Sequence, residues 1–97
     1  MVRCALCVFG CVGVVAGGVE EANAKGFEEA ERMGMVVCVN GCGERVEGGR
    51  YLINVKGEWE VGVLSKVDAG RKLELKVMEL KEKYPNLNVT AFHYVCE

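Results

Sequence analysis

Apolar and polar positions along the 97-residue chain change period several times, and each change predicts an element. Residues 2–9 are apolar on both alternating faces, with Cys4, Leu6 and Val8 against Ala5, Cys7 and Phe9. That pattern predicts a central strand covered on both sides. Gly10, Gly13, Gly17 and Gly18 then read as a glycine-rich loop. Over residues 19–33, Val19, Ala22, Phe27, Ala30 and Met33 recur at helical spacing with charges between them. This predicts an amphipathic helix, weakened by Gly26 and stopped by Gly34. Residues 35–40 are a second continuous apolar run, which suggests another interior strand.

From Tyr51 the period becomes two. Tyr51, Ile53 and Val55 face one way, Trp59, Val61 and Val63 resume the apolar face, and Lys56-Gly57 between them suggests a hairpin turn. Asp68 is a candidate N-cap for a helix over 69–84, with Leu73, Val77, Leu80 and Tyr84 as its buried stripe and Pro85 as its stop. Residues 88–96 form the last strand.

Strand, helix and strand over the first forty residues predict a βαβ unit, a parallel pair with a right-handed crossover. The full order is β-α-β-β-β-α-β. It predicts one α/β domain, with α+β as the alternative, built as a two-layer sandwich of two helices on a mixed sheet. A mass of 10.6 kDa suits a single domain.

Composition narrows the function classes. Hydrophobic residues make up 51% and mean hydropathy is +0.14, which excludes a disordered tail. Net charge is −2 and the pI is near 5.5, so the chain lacks the basic footprint of a nucleic-acid binder. Thirteen Glu, one Asp and no Gln resemble the bias of hyperthermophile proteins, although five Asn remain.

The uncharged stretch 4–19 has three readings. A signal peptide would end near Ala22-Asn23-Ala24, but Glu20 and Glu21 interrupt it. A membrane span is shorter than the roughly 20 residues that hydrocarbon requires. The strand-and-loop reading is preferred, which makes a cytoplasmic protein the expectation; a secreted one follows if residues 1–24 are a leader.

Cys4, Cys7, Cys11, Cys38, Cys42 and Cys96 are far above ordinary cysteine usage, and an even count permits disulfides in any of 15 connectivities. In a parallel βαβ unit, Cys7 and Cys11 would lie near the end of one strand and Cys38 and Cys42 near the end of its neighbour. Four thiols could then hold Zn²⁺ or an iron–sulfur cluster. The spacing is not that of paired CxxC knuckles, and small core hydrophobes are the plainer reading. Cys42 sits between Gly41 and Gly43 with Arg45 nearby, a setting that lowers a thiol pKa and suits a sulfur-handling nucleophile. His93, the single histidine, reads as a strand residue.

No phosphate-binding motif accompanies the glycines, and Glu20 and Glu21 occupy the helix end where an anion would dock. Two functional readings remain. The first is a non-catalytic interaction module whose sheet, covered by only two helices, exposes apolar area from Phe9, Leu52 and Leu64 to a second copy or a protein partner. The alternative is a metal-binding or thiol-redox protein that uses the cysteines.

Overall fold

A computed structural model describes residues 1–38, 44–46 and 48–97. The elements in chain order are β1 (Val2–Val15), α1 (Val19–Arg32), β2 (Val36–Val37), β3 (Glu44–Val46), β4 (Arg50–Val63), α2 (Lys66–Lys83) and β5 (Leu87–Cys96). The two-layer α/β domain with two helices is as the sequence predicts; the count of seven elements also agrees, but β3 falls where no strand was expected, and the two arms of the expected hairpin are the single strand β4.

The sheet differs from expectation in its pairing. Strand order is β2-β4-β1-β5, with β3 also on β4, and every pair is antiparallel. β1 and β2 run parallel, as a βαβ unit requires, but β4 lies between them. The sheet is therefore antiparallel rather than mixed, and β2 is an edge strand rather than an interior one. β1 occupies one edge of β4 from Val2↔Val63 to Val15↔Arg50, so β2 and β3 share the other edge. One strand–helix–strand unit inserted into another is the split βαβ, or ferredoxin-like, arrangement.

β1 and β4 are each one uninterrupted strand, where the sequence suggested a glycine loop after Phe9 and a hairpin at Lys56-Gly57. The molecule's 48 Å length matches fourteen extended residues at about 3.3 Å each. Gly10 stays in the ladder at the bulge between β1 and β5, where a Cβ would lie 2.5 Å from the Asn88 carbonyl oxygen. Gly57 leaves room for the Trp59 ring, which a Cβ there would overlap. The tight turn lies instead at Gly48 and Gly49, both with positive φ, between β3 and β4. The apolar stretch weighed as a leader or membrane span is thus the central strand of the sheet. Among the described residues no helix is long and apolar enough to cross a membrane.

Both helices pack on one face. Their weight falls on Leu6, Val8, Val12 and Val14 of β1 and on Tyr51, Ile53 and Val55 of β4, all buried. α1 presents Ala22, Gly26 and Ala30 to the sheet, a stripe of small residues that brings the helix close. Phe27, expected in the core, is 60% exposed. The helix ends in a Schellman motif: Gly34 has φ +71°, its N–H donates to the Glu31 carbonyl, and the Met35 N–H donates to that of Ala30 at 2.8 Å. α2 buries Ala69, Leu73, Val77 and Leu80. Its N-cap is Ser65 rather than Asp68; the Ser65 hydroxyl accepts from the Asp68 N–H at 3.4 Å, so Asp68 serves the first turn from inside.

A thickness of 18 Å holds one sheet and one helix layer. Among the described residues the other face of the sheet carries no helix.

Candidate functional site

Alternation along the strands decides which side chains face the bare side. On β1 they are Arg3, Ala5, Cys7, Phe9, Cys11, Gly13 and Val15; all but the exposed Arg3, Gly13 and Val15 are half-buried. Register places Glu60, Glu58, Lys56, Asn54 and Leu52 of β4 beside them on one side, and Val95, His93 and Ala91 of β5 on the other. The result is an apolar stripe along the middle strand, flanked by a charged row on β4 and a largely uncharged row on β5. Val15 and Val95 are 64% and 59% exposed.

Across the centre of this face, Glu58, Cys7 and His93 stand level on three adjacent strands. Cys and His in one row invite a catalytic reading, but the surroundings oppose it. Burial, then the Glu58 carboxylate, pushes the Cys7 thiol above its ordinary value, with Lys56 acting weakly the other way. The His93 ring lies against Phe9 instead, stacked at 5.7 Å between centroids and 19° between planes. Cys7 is therefore a protonated, weakly nucleophilic thiol at neutral pH. No local sequence signal joins these three residues, because they meet only through strand register.

The predicted cysteine cluster is not assembled among the described residues. Cys7 and Cys11 share a face of β1 but are four extended residues apart, about 13 Å. Cys38 donates its N–H to the Asn54 carbonyl at 2.9 Å, and Asn54 is level with Cys11 on its other side. Two strand spacings, about 10 Å, thus separate Cys11 from Cys38. Thiolates on one zinc ion, with Zn–S bonds near ~2.3 Å, need far closer approach. No group of three His, Cys, Asp or Glu among the described residues is arranged to hold a metal ion. The parallel neighbours assumed from sequence are separated by β4, and that insertion spreads the thiols. Cys42 and the Arg45 side chain lie outside the described residues. Cys11 accepts a hydrogen bond from the Asn88 amide at 3.9 Å.

Cys4 has a different role from its neighbours. It faces the helix layer, is buried, and forms a disulfide with Cys96, directly opposite on β5. The Glu97 N–H donates to the Arg3 carbonyl at 3.0 Å, so Arg3 and Glu97 are a hydrogen-bonded pair and Cys4 and Cys96 the non-bonded pair next to it. Side chains approach most closely at such pairs, and here the Cα atoms are 4.0 Å apart.

β5 is an outer strand with one neighbour. Thr90 to Val95 are all exposed, Phe92 at 49%, and Leu87–Cys96 contains no Lys, Arg, Asp, Glu or Pro. Charges and prolines are the usual means of preventing an edge from pairing, and this edge has none.

The phosphate reading stays closed. The Glu21 carboxylate accepts the Gly17 N–H at 2.9 Å and pairs with Lys25 at 3.3 Å, occupying the start of α1. No family model matches the chain, and comparison with curated proteins and with solved structures finds no match.

Proposed function

We propose that this protein is a small, non-catalytic interaction module whose working surface is the uncovered face of its sheet. The observation that carries the reading is the asymmetry of the fold: both helices lie on one face, and the other keeps an apolar stripe centred on Cys7 and Phe9 with no described element over it. Contiguous apolar area of this kind on a small domain marks a protein-binding surface. The unblunted β5 edge extends it. The metal reading has no comparable support, since the described thiols on this face stand about 10 Å or more apart along the sheet. We place the module in the cytoplasm, because its Glu- and Lys-rich composition matches proteins whose cytosol tolerates disulfides.

The test combines binding of the apolar dye anilinonaphthalene sulfonate with molar mass by light scattering, on the native chain and on Phe9→Lys. An accessible face binds dye as a monomer, and an occupied one gives a larger particle. Phe9→Lys should abolish either signal while leaving the circular dichroism unchanged. A monomer that binds no dye would overturn the reading.

A further inference from the structure

The charged row on β4 suggests what covers the bare face. Arg3 already lies 4.0 Å from Glu60, but among the described residues neither Lys56 nor Glu58 forms an ion pair within the chain. They are exposed, opposite in sign, and adjacent on this face. Lys56 is level with Phe9 and Glu58 with Cys7, so two neighbouring rows carry opposite charges and side chains of unequal size. A surface that is opposite to itself about its midpoint is self-complementary under a two-fold rotation.

We propose that a second copy of this chain covers the face, sheet on sheet with strands antiparallel, about a two-fold axis between the Phe9–Lys56 and Cys7–Glu58 rows. The proposal rests on the reading of this face as an interaction surface and names its occupant. The axis sets Lys56 of each copy opposite Glu58 of the partner subunit, giving two equivalent pairs beside the apolar stripe. It also sets each Phe9 ring over the smaller Cys7 of the partner subunit, a large side chain against a small one. Packed sheets cross at about 30°, yet rows beside the axis move by only a few ångströms, within the reach of lysine.

The face is also large enough. Three strands of ten to fourteen residues cover on the order of 600 Å² in projection and more as accessible surface, close to the roughly 800 Å² each partner contributes to a stable complex.

The experiment is charge exchange. Molar mass is measured by sedimentation from micromolar to near-millimolar concentration for the native chain, Lys56→Glu, Glu58→Lys, and an equimolar mixture of the two variants. Both residues are exposed, so the fold survives either change. The native chain should sediment at twice 10.6 kDa. Each variant alone places like charges opposite each other twice and should dissociate about ten-fold or more readily. The mixture should restore the dimer: the glutamate introduced in one variant meets the lysine introduced in the other, while the remaining native Lys56 and Glu58 form the second pair. Alkylation of Cys7 should slow as the native chain is concentrated into the dimer, and the rate in each single variant should not change over the same concentration range. A dimer indifferent to both substitutions, or a mixture no tighter than its components, would overturn the proposal. A native monomer that binds the apolar dye would also overturn it while leaving the interaction reading standing; a monomer that binds none defeats both.

Discussion

Gly26 of α1 rests against the side chain of Ile53 on β4, so closely that a Cβ at position 26 would lie 2.7 Å from an Ile53 methyl carbon. Ile53 is fully buried, and the atoms in the way are its branched Cγ carbons rather than a flexible tip. Gly26→Ala should gain about 1 kcal/mol of helix propensity and lose about 1–3 kcal/mol to overpacking. The expected outcome is a net loss of up to about 2 kcal/mol in a denaturant titration. Unchanged or greater stability would show that α1 can lift off the sheet freely.

Gly57 and Trp59 make a second such pairing within one strand. The indole folds back over the glycine and carries the Lys76 ammonium 4.4 Å from its ring centre. Trp59 is the chain's single tryptophan, so its fluorescence reports this contact alone. Gly57→Ala should displace the ring, shift emission to longer wavelength, and cost about 1–3 kcal/mol. Lys76→Met should leave stability within about 1 kcal/mol, as expected for a partly exposed cation–π contact.

The Cys4–Cys96 disulfide joins residues 92 apart in sequence and anchors β5, whose ladder runs along β1 alone. Closing a loop of that length in the unfolded chain corresponds to about 4–5 kcal/mol in the chain-entropy account. Reduction, or Cys96→Ala, should lower stability by about 2–5 kcal/mol, and amide exchange should rise in β5 before β4. Equal exchange in the two strands after reduction would show that the ladder holds β5 without the bond.

Cys7 should alkylate more slowly than an ordinary thiol at pH 8, because burial and then Glu58 hold it protonated. Glu58→Gln should speed the reaction, measured at a concentration low enough for single chains. The native state binds this proton more tightly than the unfolded state does. Its contribution to stability is therefore complete below the ordinary thiol range and declines above about pH 8.5–9. A Cys7 that reacts faster than a model thiol would contradict the environment described.

Much of this fold was legible in the sequence. The stripe Leu73, Val77, Leu80 fixed α2, and Gly34 marked the end of α1. The hairpin at Lys56-Gly57 was not there, and parity could have excluded it. A two-residue turn at 56–57 would set Val55 opposite Glu58 and throw Trp59, Val61 and Val63 onto the face opposite Tyr51, Ile53 and Val55. One unbroken strand keeps all six on the same side, which is what the structure shows. The stripe Ala22, Gly26, Ala30 at four-residue spacing was equally present, but larger Phe27 drew the prediction. Small residues bury by closeness of approach, which apolar bulk does not reveal.

Local sequence determined the two helices, the strands that flank them, and the alternation that gives each strand an inner and an outer side, because those follow from propensity and period. Which strands are neighbours, and hence what stands beside each cysteine, was decided only by tertiary structure. Inserting β4 between β1 and β2 is a long-range choice made by the whole core, through contacts such as Gly26 with Ile53 and Val12 with Ile53. That one insertion spread Cys7, Cys11 and Cys38, which adjacent parallel strands would have gathered. It also set Glu58, Cys7 and His93 in a row and left Lys56 and Glu58 on an open face, relations that no spacing along the chain encodes.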